Sequence, residues 1–218
     1  MTEDQRRVPH YWERYTSRGT EGGDPSAPGG EVRLPPGEDL AAMRRGANRQ
    51  PGSVPALWKF YTAPDSGGRE PSADLSAEHA ALVLFGFHQQ SQRRSMHVTK
   101  ESMAGSLRRL RLSDRFKDRE ETLDCRVACA VTSATLGGLS WHLRGLVTLM
   151  RGADLGFNYS WLTADLTRWQ RPEGRIRLMR NWGRQYFAWG AGADDDGLVA
   201  DLSTATERSH NLTNGDSA

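Results

Sequence analysis

Residues 76–88 read SAEHAALVLFGFH, and this stretch decides the fold class. Ala77, Ala80, Ala81, Leu84, Phe85 and His88 recur at the three- and four-residue spacing of one helix face, and Ser76 can cap it. No window in the 218 residues alternates convincingly at the two-residue period of a strand. The expectation is an all-α protein, a helical bundle.

The same periodicity extends in both directions. Upstream, Pro55 suits the first turn of the helix ALWKFY, and Glu38-Asp39 open the short run LAAMRRG. Downstream, QQSQRRSMHVTKE is polar and basic, and reads as a loop. Ser102 opens a helix with Met103, Leu107 and Leu110 inward and Arg108, Arg109 and Arg111 outward. Ser113 or Asp114 can cap the next, whose stripe is Phe116, Leu123, Val127 and Val131. Gly137-Gly138 breaks the chain and Ser140 restarts it as WHLRGLVTLMRG. Asn158 caps YSWLTADLTRWQ, Pro172 ends that helix, and a last one runs from Arg175 to Trp189 with Ile176, Met179, Trp182 or Gly183, and Tyr186 on one side.

Four segments follow. Residues 1–34 read as a flexible N-terminal segment with one aromatic cluster, His10-Tyr11-Trp12 and Tyr15, able to form a brief helix. Residues 35–112 and 113–189 read as two small helical subdomains, and residues 190–218 as an acidic, disordered tail.

Composition narrows the function. A hydrophobic share of 37% leaves material for only a small core. No apolar run is long enough to span a membrane, and the start MTEDQRRVPHYW has no signal core, so a cytoplasmic protein with no membrane partner is expected.

The net charge of +2 conceals an imbalance. Residues 93–184 carry 18 Lys and Arg against nine Asp and Glu, while residues 185–218 carry one against six. Lys occurs only at Lys59, Lys100 and Lys117, so the surplus is almost all Arg, the better side chain for bidentate phosphate contacts. Arg171, Arg175, Arg177, Arg180 and Arg184 cluster along the last helix and around Pro172. A local surplus of this kind fits a nucleic-acid partner bound by counterion release. Intramolecular neutralisation by the tail is the plainer alternative.

Catalytic chemistry finds no constellation. Cys125 and Cys129 share a helix face but lack the second ligand pair of a structural zinc site, and read as core thiols. His79 and His88 fall on opposite faces, and His142 lies on a polar one. Asp194-Asp195-Asp196 reads as solvating charge. Trp58, Tyr61, Trp141, Trp161, Trp169, Trp182 and Trp189 read mostly as core residues, although an exposed one could stack on a base. The expectation is no enzyme activity, no cofactor and no metal.

The order of five segments carries a family resemblance. PALWKFY, AALVLFGFHQQSQ, MH followed by SMAGSLRRL, HLRGLVTLMR and DLTRWQRPEGRIRLMRNWGRQYF together resemble the CasB family, the small subunit of the type I-E CRISPR surveillance complex Cascade. The resemblance covers Gly37 to Trp189. It implies a non-catalytic helical subunit, present as a head-to-tail pair. Its partners would be the crRNA-bound backbone subunits, the large subunit, crRNA, and target and non-target DNA. Its role would be to stabilise the R-loop and the displaced strand.

Matched position by position, the resemblance points to Arg44 and Arg45, Arg93, Arg94 and Lys100, Arg108 and Arg109, Arg126, Arg144, and Arg171 with Arg175; Arg111 joins them from its place on the Arg108 face. At Arg126 the family's Arg-Arg-aromatic segment is only partly kept, because Cys125 and Val127 fill the other places. A rival reading is a ligand-responsive helical transcription regulator. It is disfavoured because its helix-turn-helix would fall early in the chain, where the sequence is rich in Gly and Pro and carries no net charge.

Overall fold

The computed structural model describes residues 8–15, 34–64 and 67–189. The linker expected over Gly19–Gly30, the acidic tail and Asp194-Asp195-Asp196 lie outside the described residues.

The apolar stretch forms the central helix. Ser72 accepts a hydrogen bond from the Leu75 amide at 3.1 Å and starts it four residues before Ser76. The helices are α1 (Gly37–Arg45), α2 (Ala73–His88), α3 (Met103–Arg111), α4 (Glu120–Val131), α5 (Leu136–Gly152), α6 (Tyr159–Trp169) and α7 (Pro172–Phe187). Short 3-10 turns occupy Tyr11–Tyr15, Pro55–Phe60 and Asp114–Phe116. Helix α2 packs against α1, α5 and α6; α7 lies against α3 and α6, and α4 against α5. Surrounded on several sides, α2 buries residues around its whole circumference, which explains its run of apolar side chains. Side chains on both sides of Ser113 belong to one contiguous core.

Several boundaries differ from expectation for local reasons. Gly137 and Gly138 do not break the chain. They fill the first turn of α5, where Thr135 accepts from the Gly138 amide at 3.1 Å. Asn158 caps α6 as expected, through a 3.0 Å bond from the Trp161 amide. Pro172 does not end that helix but starts α7, as a first-turn proline can. The buried stripe of α7 is Leu178, Trp182 and Tyr186, and Ile176 is exposed.

The N-terminal segment is a partial surprise. Tyr11, Trp12 and Tyr15 are buried in the core although residues 1–34 read as flexible. Trp12 lies 5.7 Å from the Tyr159 ring and 6.2 Å from Phe85, centroid to centroid, and its indole donates to Ser160. Beside it, the buried Glu78 carboxylate accepts from the Thr62 and Ala63 amides and the Thr62 hydroxyl, and meets His10 at 2.9 Å. Burial alone would push its carboxyl up. The bonds from His10, Thr62 and Ala63 outweigh that and hold it below the ordinary range.

The basic loop 89–101 is also fixed. An isolated parallel bridge joins His97 to Phe157: the Val98 amide donates to the Phe157 carbonyl at 3.0 Å, and the Phe157 amide to Met96 at 3.1 Å. The Asn158 side chain adds a 2.7 Å bond to the Thr99 carbonyl. At Gly156 a Cβ would lie 2.9 Å from the Met96 carbonyl, so the close approach of these strands of chain requires glycine there.

Candidate nucleic-acid interface

The expected basic residues separate into two groups by what each guanidinium touches. The first group is engaged within the fold. Arg44 donates to the Gly86 carbonyl at 3.2 Å and ties α1 to α2. Arg94 pairs with Asp154 at 2.8 Å, at the end of α5. Arg109 lies 3.6 Å from Glu101. Arg111 does not face solvent with Arg108 and Arg109 but forks onto Asp124 of α4. Arg144 sits over the Phe87 ring at 5.5 Å, and Arg175 over Trp169 at 4.1 Å with its Nε buried and unbonded.

The second group has no carboxylate within reach among the described residues. Arg45, Arg93, Arg108, Arg126 and Arg171 are exposed and make no side-chain bond, ion pair or ring contact there. Arg177 and Arg180 on α7 share that condition. Lys100 is exposed in the loop but takes part in a contact of its own and stands outside this group. The seven arginines can exchange water for phosphate oxygens without giving up an internal partner.

The structure brings Arg126 and Arg144 together. They line one groove of about 330 Å³ on α4 and α5, together with Trp141, His142, Gly145 and Leu146. A second cleft of about 360 Å³ shares Trp141 and Arg144 and continues past Arg49 toward α2. Arg171 and Arg175 lie at the start of α7.

Four tryptophans expected in the core are on the surface. Trp58, Trp141, Trp161 and Trp189 are 43–61% exposed, whereas Trp169 and Trp182 are buried. The phase of each helix could have shown this. In α5 the buried stripe is Leu139, Leu143, Leu146, Val147 and Met150, and Trp141 falls off it beside Arg144. In α6 the stripe of Tyr159, Leu162, Thr163, Leu166 and Trp169 leaves Trp161 outside in the same way.

Cys125 and Cys129, expected in the core, are both exposed thiols. The α4 stripe explains it: Leu123, Val127 and Ala130 point inward, and both cysteines fall on the opposite face. The buried histidines serve packing. Burial pushes His88 down to about 3 and His97 down to about 4, so both are neutral near pH 7. His88 bonds the Tyr159 hydroxyl at 3.0 Å, and His97 accepts from the Tyr159 amide at 3.1 Å. Among the described residues, no three His, Cys, Asp or Glu side chains gather as a metal-ligand set, and no helix is long and apolar enough to cross a membrane.

Comparison with known proteins adds a second line of observation. The sequence profile of the CRISPR-associated protein Cse2 matches residues 39–187. The crystal structure of CasB from Thermobifida fusca is similar at 28% identity and a TM-score of 0.56, over 69% of this chain and 84% of that one. CasB from M. ruber shares the fold at 18% identity and a TM-score of 0.53, covering 92% of this chain and 95% of its own. A chain of a structure described as a CRISPR RNA-guided surveillance complex also shares it, at 20% identity and a TM-score of 0.54, over 72% and 88%. No curated protein matches.

Proposed function

The chain belongs to the Cse2 family of CRISPR-associated proteins, and from that premise we propose that it is the non-catalytic small subunit of a Cascade surveillance complex. In that role it stabilises the R-loop by holding the displaced strand and the hybrid of crRNA and target DNA. The observation that carries this is the second group of arginines: Arg45, Arg93, Arg108, Arg126 and Arg171 stand on a folded surface with no internal carboxylate among the described residues. Each can neutralise a phosphate, while base pairing by the guide supplies specificity. A head-to-tail pair of subunits would lengthen that basic path along the nucleic acid.

The test is a salt titration of the full-length chain against a fluorescent single-stranded oligonucleotide. Affinity should fall steeply between about 50 and 200 mM salt. Arg93→Glu with Arg108→Glu should flatten the slope by about one for each phosphate contact removed. In the assembled complex, the same pair should weaken R-loop formation more than assembly. Affinity independent of salt would remove the electrostatic basis of the reading.

A further inference from the structure

We propose that Trp141 is a stacking platform for one unpaired nucleobase, with Arg126 and Arg144 taking the flanking phosphates. The proposal rests on the nucleic-acid reading above and names a site within it. The Trp141 ring is 58% exposed, off the buried stripe of α5, and lies where the two concavities meet. His142 approaches it edge-on, centroids 4.9 Å apart at 85°, which supports the indole from one side. Arg144 follows three residues later on the same helix face, and its guanidinium is held over Phe87 rather than tied to a carboxylate. Arg126 reaches the groove from α4 with no partner among the described residues.

The chemistry of the lining selects the ligand. The groove holds two guanidiniums, an indole, an imidazole, Gly145 and Leu146, and no carboxylate. The adjoining cleft adds Arg49 against one acid, Glu70. An aromatic face between cations suits a planar group linked to anions, which is a nucleotide in a single strand. Every base has a π-face, so stacking there is tolerant of sequence.

Gly145 is a further sign. Glycine inside a helix is less stable than alanine, yet nothing lies within 4 Å of where its Cβ would stand. Packing therefore does not require it. Its effect is to leave bare backbone on the floor of the groove.

The experiment titrates the full-length chain with a fluorescent oligothymidine and with the same strand carrying abasic residues. The wild type should hold oligothymidine roughly tenfold more tightly than the abasic strand. Trp141→Ala should erase that difference without changing the salt slope, and Trp141→Phe should keep most of it. Gly145→Leu, which fills the groove, should weaken oligothymidine binding and leave the melting temperature at or above that of the wild type. Discrimination that survives in Trp141→Ala, or an equal loss for both strands, overturns the proposal. If the wild type binds both strands equally with a steep salt dependence, stacking falls and the electrostatic reading stands. If it binds neither strand, both readings fall together.

Discussion

Arg111 donates two parallel hydrogen bonds to the Asp124 carboxylate, Nε to Oδ1 at 2.9 Å and Nη2 to Oδ2 at 3.1 Å. The Tyr186 hydroxyl adds a third to Oδ1 at 2.7 Å, so α3, α4 and α7 meet at one acid. Burial would raise the Asp124 carboxyl, but the bonds from Arg111 and Tyr186 outweigh it and hold it below the ordinary range. An arginine in this position is a fastener before it is a phosphate ligand.

Arg111→Ala should therefore cost stability, about 1–3 kcal/mol for the loss of a charge-assisted fork that leaves its carboxylate half-paired. Arg108→Ala, which removes an exposed side chain with no bond or ion pair among the described residues, should change stability by no more than about 0.5 kcal/mol and weaken oligonucleotide binding instead. Urea midpoints set beside binding curves decide it. An Arg111→Ala protein of full stability that has lost affinity would reverse the assignment.

Trp12 is completely buried although it lies outside the family match. Trp12→Ala should cost about 3–5 kcal/mol, as removal of a packed aromatic does. Deleting residues 1–15 should cost at least as much. Thermal melting would show it, and unchanged melting of the truncated chain would mean the Tyr11–Tyr15 turn is not part of the stable fold.

Asp165 should show its effect through pH. Burial pushes its carboxyl up to about 6, and the Trp182 indole bond and Arg168 bring it only part of the way back. A folded value above the unfolded one means that the fold prefers the proton. Stability from this group is full below about pH 4 and is lost as pH rises through about 6. Asp165→Asn should therefore stabilise the protein by roughly 2 kcal/mol at pH 8 and by almost nothing at pH 4. Its amide oxygen can still accept from Trp182. His88 and His97 act in the opposite sense: the fold resists their protonation, so wild-type and variant must be compared at each pH. A gain independent of pH would contradict the assignment.

Cys125 and Cys129 should both react with a thiol reagent in the native state, at rates close to those of the unfolded chain. Replacing both with Ser should shift stability by no more than about 0.5 kcal/mol. Slow modification limited by unfolding would place them back in the core.

The helices were legible because local spacing reports which face is apolar. The Met103–Leu107–Leu110 stripe, the Asn158 cap and the Ser102 cap all follow from residues within one or two turns. Misreadings arose where residue type was weighed above phase. Trp141 and Trp161 are large and apolar but sit off their stripes, and Cys125 and Cys129 do likewise on α4. Ser72 and Ser76 are both residues of capping type, and the helix starts at Ser72.

By itself the sequence determined an all-helical chain, a charge surplus between residues 93 and 184, and a family resemblance carried by the order of its segments. These are sums and short-range periodicities, which need no knowledge of neighbours. Tertiary structure decided which arginines are available, because pairing depends on carboxylates such as Asp124, Asp154 and Glu101 that reach them only after the helices pack. It also drew Tyr11–Tyr15 into the core, since Phe85 and Tyr159 form a surface for Trp12 only when α2 and α6 meet. The meeting of Arg126, Trp141 and Arg144 has the same origin: α4 must lie against α5 before one groove can hold all three.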